Sequence, residues 1–124
     1  MRYRECDPMG VVYHTHFFDY FEAARTEAFR ALGLSYRELE ERGVMMPVVE
    51  ANVRCRRPAR YDDRLLVETR FPSEAPQTRL PTRYAVRREG EEALLVEGEV
   101  TLCFVDAERR RPVRAPDDVQ RLFN

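Results

Sequence analysis

At 124 residues the chain has room for one domain, spanning residues 1–124, and none for a second. Its 44% hydrophobic and 35% charged residues exclude a disordered chain, and a net charge of −1 excludes the basic footprint of a nucleic-acid-binding protein. No apolar run approaches the roughly 18 residues that would span a bilayer, and the opening Met1-Arg2-Tyr3-Arg4-Glu5 lacks the apolar stretch of a secretion signal, so a cytoplasmic protein without membrane insertion is expected.

Met1 to Glu5 reads as a short leading strand. The first strongly periodic segment is His16 to Leu32. Phe17, Phe21, Ala24, Ala28 and Leu32 recur at helical spacing, which predicts one apolar stripe on a helix. Thr15 is suited to cap its start, and Asp19 near the first turn suits the helix dipole. Gly33 stops it. A short second helix is predicted over Tyr36 to Arg42, ending at Gly43.

Beyond Gly43 the period becomes two. Val49, Ala51, Val53 and Cys55 alternate with Val48, Glu50, Asn52 and Arg54. A second run, Arg64 to Phe71, sets Leu65, Val67 and Thr69 against Leu66, Glu68 and Arg70. Leu80, Thr82, Tyr84 and Val86 form one side of a third run. Leu94, Val96, Gly98, Val100, Leu102 and Phe104 form one side of a fourth. Four such runs predict an antiparallel sheet with one buried face. Pro81 marks the start of the third run as an edge or a bulge. A last helical turn opens at Pro116-Asp117-Asp118. The helix can bury its stripe only against the sheet, so the expected class is α+β, one long helix packed on one curved antiparallel sheet of five strands. Edges left exposed on such a sheet invite pairing between subunits.

Cys6, Cys55 and Cys103 are odd in number and widely spaced, so they predict neither a disulfide framework nor a zinc site. Cys55 and Cys103 fall in apolar alternations and are expected as small core residues.

The segment that carries chemistry is Cys6-Asp7-Pro8-Met9-Gly10-Val11-Val12-Tyr13-His14-Thr15-His16. It sets a carboxylate and two histidines just before a helix, whose first N–H groups are unpaired and carry partial positive charge. Such amides can hold a developing oxyanion, and a nearby carboxylate can act on water as a base or attack as a nucleophile. The plainer reading is a turn capped by Asp7 with histidines flanking a helix start. Two histidines two apart define no metal site without a third ligand.

Asp7-Pro8-Met9-Gly10-Val11-Val12-Tyr13-His14, followed by Phe17-Phe18, Tyr20-Phe21-Glu22 and Ala24-Arg25, resembles the signature of the 4-hydroxybenzoyl-CoA thioesterase family. The likeness is strongest to its short-chain acyl-CoA thioesterase branch, associated with the Tol–Pal envelope system. Pro58-Ala59-Arg60-Tyr61-Asp62-Asp63, with Leu65, Val67 and Thr69, resembles the second recurring stretch. The resemblance implies a hotdog fold, assembled as a homodimer or homotetramer with sites at the subunit junction. It implies hydrolysis of an acyl-CoA thioester with no cofactor beyond the coenzyme A of the substrate. Asp7 then matches the catalytic carboxylate, as general base or nucleophile, and His14 the residue whose backbone N–H receives the thioester carbonyl. Tyr13, Thr15 and His16 fall where substrate is held. His16 and Phe17 depart from the usual asparagine and tyrosine, which bears on substrate positioning. Arg56, Arg57 and Arg60 belong to the densest basic cluster and suit coenzyme A phosphates. The alternatives are an acyl-CoA-binding protein without catalysis, and an acyl-thioester hydratase or dehydratase, whose hydration-loop Asp–His motif is not present in this sequence.

Overall fold

The computed structural model describes residues 15–60 and 63–123, with the backbone alone at Thr15. The leading strand expected at Met1 to Glu5 lies outside the described residues. Helix α1 runs Thr15–Leu32 and α2 Tyr36–Glu41. Strands follow at Val44–Met45 (β1), Val48–Cys55 (β2), Leu65–Arg70 (β3), Arg79–Arg88 (β4) and Leu94–Cys103 (β5). Two-residue strands at Val105–Asp106 (β6) and Arg111–Pro112 (β7) precede α3, Asp117–Arg121.

The buried centre of α1 is a strict i, i+4 row: Phe17, Phe21, Arg25 and Phe29, all between 0% and 7% exposed. The expected stripe is therefore displaced, with Ala24, Ala28 and Leu32 half-buried on its flank. Long aromatic side chains reach the sheet where alanine cannot, and each contributes about 1.5–3 kcal/mol by leaving water. Gly33, at φ 89°, takes the left-handed conformation that ends α1. Ser35 caps α2 by accepting from the Glu38 N–H at 3.3 Å.

The long strands form one antiparallel sheet in the order β2-β5-β4-β3. Strand β2 does not pair with its sequence neighbour β3. It crosses to β5, with Ala51 opposite Val100 and Val53 opposite Gly98. Both β4 and β5 are central, and their apolar positions are buried against α1 as the alternation predicts. Gly98 admits the helix: a Cβ there would collide with the edge of the Phe21 ring, while that ring stacks on Tyr84 at 4.5 Å.

Pro81 lies where its missing N–H is harmless. Strand β3 ends at Arg70 opposite Arg83, so, among the described residues, positions 79–82 have a strand neighbour only on β5. The Phe104 N–H reaches the Thr78 carbonyl, so even-numbered residues of β4 bond toward β5 and Pro81 faces the open side.

Cys103 is buried, but Cys55 is exposed, against expectation. Among the described residues strand β2 is an edge, while α1 seats on β4 and β5 through Phe21, Tyr84 and Gly98. Alternation alone does not bury a residue the helix fails to cover. A second small sheet, β1-β6-β7, lay below the length at which a period of two can be read. The Arg42 guanidinium grips Asp118 at 2.9 and 3.0 Å, tying the end of α2 to α3.

Candidate active site

The chemistry expected at Asp7, Tyr13 and His14 lies outside the described residues, as does Cys6. What the structure supplies is the helix they lead into. Eight positions separate Asp7 from Thr15, the first residue of α1. The first turn of α1 carries no acidic residue, so its positive pole is not neutralised from within, the condition an anion or oxyanion requires. His16 is half-buried in that turn, with Nδ1 3.9 Å from the Asp19 carboxylate.

The helix is held by a buried polar chain that the sequence reading did not single out. Arg25 donates from Nε to the Tyr36 hydroxyl at 3.2 Å and from Nη1 to the Tyr84 hydroxyl at 3.1 Å. The Thr82 hydroxyl lies 2.7 Å from Tyr84 and donates to the Val100 carbonyl at 2.7 Å. A guanidinium only donates, so the hydrogen bonds run in one direction: Arg25 to Tyr84, Tyr84 to Thr82, Thr82 to the β5 backbone. Burial pushes the Tyr36 phenol above its ordinary range, although Arg25 opposes this. The chain pins α1 to β4 and β5 by direction as well as by apolar contact. Its signal was in the sequence, because Arg25 stands four residues from both Phe21 and Phe29 on one face.

The three arginines expected at coenzyme A are not equivalent. Arg56 is engaged with Glu97 on β5 at 2.7 and 2.9 Å. Arg57 and Arg60 are exposed, and no side-chain hydrogen bond or ion pair holds them among the described residues. The backbone N–H of Arg60 donates to Asp63 at 2.6 Å, and Asp63 in turn meets Arg88 at 3.0 Å. Arg60 and Asp63 are thereby tied together through the backbone, while the Arg60 side chain stays exposed. Between α1 and β3 lies a cavity of about 670 Å³, floored by Ala23, Ala24, Leu65 and Val67 and rimmed by Glu27, Arg64 and Glu89. Its apolar floor suits an alkyl or aryl group. Among the described residues no three His, Cys, Asp or Glu side chains cluster as a metal site, and no helix is long and apolar enough to cross a membrane.

A long helix seated on one face of an antiparallel sheet is the α+β architecture that the sequence predicts. Residues 1–123 match the family model of the thioesterase-like superfamily, and the chain belongs to that family, with the hotdog fold the sequence led us to expect. The acyl-CoA thioester hydrolase YbgC of Escherichia coli O6:H1 is 32% identical over 121 residues, covering 98% of this chain and 89% of that protein. The crystal structure of the protein TT1821 from Thermus thermophilus superposes with a TM-score of 0.87 at 40% identity, covering 99% of this chain and 92% of that one. A mutant 4-hydroxybenzoyl-CoA thioesterase complexed with 4-hydroxybenzoyl-CoA superposes with a TM-score of 0.86 at 28% identity, covering 100% and 94%.

Proposed function

We propose that the protein is an acyl-CoA thioesterase, converting an acyl-CoA and water to a carboxylic acid and free coenzyme A. The observation that carries this reading is full-length membership of the thioesterase-like superfamily, joined to similarity over 98% of the chain to an acyl-CoA thioester hydrolase. In this mechanism Asp7 acts on the thioester carbonyl carbon. As a general base it takes a proton from the attacking water, and as a nucleophile it forms a transient anhydride that water then opens. In either course the carbonyl oxygen gains negative charge, received by the His14 amide beside the positive pole of α1. The C–S bond then breaks, and the departing thiolate is protonated to coenzyme A. Tyr13, Thr15 and His16 surround the reacting group, and no metal or redox cofactor takes part.

Arg57 and Arg60 are the cations we assign to coenzyme A phosphates, and Arg56 is set aside for Glu97. Replacing Arg57 and Arg60 together by alanine is expected to raise KM for acyl-CoA about tenfold with kcat little changed. Replacing Arg56 alone should leave KM within about twofold. We assign the protein to the cytoplasm, as a homodimer or homotetramer whose sites lie at the subunit junction. Thiol release measured across short aliphatic, long-chain and aromatic acyl-CoA substrates tests the reading. Turnover on at least one class is expected. Binding without thiol release on every class would make the protein an acyl-CoA binder instead.

A further inference from the structure

The cavity between α1 and β3 holds about 670 Å³, and Tyr20, Ala23, Ala24, Leu65 and Val67 line it. Helix geometry links it to the first turn of α1. His16, Tyr20, Ala23, Ala24 and Glu27 stand at i, i+4, i+7, i+8 and i+11 of one helix, so they form a single stripe along one face. That stripe flanks the buried row of Phe17, Phe21, Arg25 and Phe29. It leads from the turn where the proposed oxyanion site begins, past Tyr20, to the two alanines. A bulky residue at either alanine would fill the space against Leu65 and Val67, and alanine leaves it open. The carboxylates of the rim are engaged by cations: Glu27 with Arg30 at 3.1 Å, Asp63 with Arg88 at 3.0 Å and Glu89 with Arg64 at 3.9 Å.

From this stripe and cavity we infer that the acyl group is a saturated chain of medium length, about eight to twelve carbons, whose tail lies between α1 and β3 with Ala23 and Ala24 setting its limit. The inference rests on the thioesterase reading above and adds the substrate class. From His16 to Ala24 is eight residues, about 12 Å along the helix axis. An extended alkyl chain advances roughly 1.3 Å per carbon at ordinary C–C lengths and tetrahedral angles. With the carbonyl at the first turn, about nine carbons therefore reach Ala24. A chain of about four carbons ends beside Tyr20 and leaves the apolar floor uncovered. A chain of about sixteen carbons, roughly 20 Å long, runs past Glu27, about 17 Å from His16, and meets its Arg30-bound carboxylate. An aryl group is shorter than the cavity. A ring hydroxyl laid on Ala23, Ala24, Leu65 and Val67 would also find no hydrogen-bonding side chain in that floor. Each methylene that the floor removes from water strengthens binding by up to about fourfold, which separates medium chains from short ones. The expected substrates are thus longer than the short chains of the branch that the sequence resembles.

Calorimetry with S-alkyl-CoA thioethers, which carry the chain but no carbonyl to hydrolyse, tests the cavity without turnover. S-decyl-CoA is expected to bind at least about tenfold tighter than S-butyl-CoA, and S-hexadecyl-CoA no tighter than S-decyl-CoA. Ala24→Leu, a substitution a helix tolerates, should lower the decyl-to-butyl affinity ratio at least about fivefold by filling the floor. Ala23→Leu, on the exposed side of the same stripe, should lower that ratio too and keeps the test independent of how Ala24 packs. In wild type, thiol release should follow the same order, with kcat/KM for decanoyl-CoA at least about tenfold above that for butanoyl-CoA. Equal affinity for the butyl and decyl thioethers, or tighter binding of S-benzyl-CoA than of either, overturns the inference. A decyl-to-butyl ratio unchanged in both leucine variants overturns it as well, because the chain then lies elsewhere. Chain-length selection in binding, lost in the leucine variants, with no thiol release from any acyl-CoA would keep the cavity as the acyl site and overturn the hydrolytic reading instead.

Discussion

Strands β5 and β2 carry the same alternating pattern, lie side by side in one sheet and end in opposite circumstances. The apolar positions of β5 are sealed beneath α1, where Phe21 rests on Gly98 and Tyr84. Those of β2 are largely open, with Ala51 and Cys55 exposed and Val53 half-buried. The difference is position, since α1 covers the central strands and reaches β3 but stops short of the β2 edge. Burial on β5 is therefore supplied by α1, whereas most of β2 stays open among the described residues.

The comparison is broken most forcefully at the centre. Arg25→Ala removes the donor to two phenols and leaves a hole between α1 and the sheet, and is expected to cost about 3 kcal/mol in chemical denaturation. Arg25→Met refills the volume while leaving both hydroxyls without their donor, and should cost less than half as much. An Arg25→Ala protein as stable as wild type would show that α1 is held by its phenylalanines alone. Next in size, Gly98→Ala forces Phe21 off Tyr84 and should cost about 2 kcal/mol, read as a lower thermal midpoint.

Acidification sharpens the comparison least, because it acts on the rim. The Arg42 guanidinium holds the Asp118 carboxyl below its ordinary range, and the amides of Arg109 and Glu108 hold Asp106 below its own. Both are carboxyls depressed in the folded state. Their contribution is complete above the ordinary aspartate range and is lost as pH falls through the depressed values. The thermal midpoint should thus decline below that range, and Asp118→Asn should flatten the decline slightly. An unchanged slope in Asp118→Asn would remove the Arg42 contact from the account.

The four long strands and both leading helices were legible in the sequence to within one or two residues, because each repeats its apolar period over several turns or pleats. Pro81 was legible as an open position because a missing N–H has few places to go. Burial was less legible. The pattern of β2 could not say that α1 would not reach it, so Cys55 was misread. Arg25 was passed over because charge on a helix ordinarily marks its solvent face. Strands β1, β6 and β7, two residues each, carry no period at all. At the site, residue chemistry alone left Asp7 as base, nucleophile or turn cap, and the resemblance carried it further. The arginine cluster read as uniform, because only geometry could show Arg56 bound to Glu97 and leave Arg57 and Arg60 available.

The account turns on Asp7, and the most direct measurement is thiol release by Asp7→Asn beside wild type on the best acyl-CoA substrate. Matched circular dichroism and sedimentation should accompany it, to show that fold and assembly are kept. The account predicts an intact protein whose kcat falls at least about a hundredfold, the loss expected when the group acting on water or carbonyl can no longer do so. An intact Asp7→Asn protein turning over at close to the wild-type rate would contradict it.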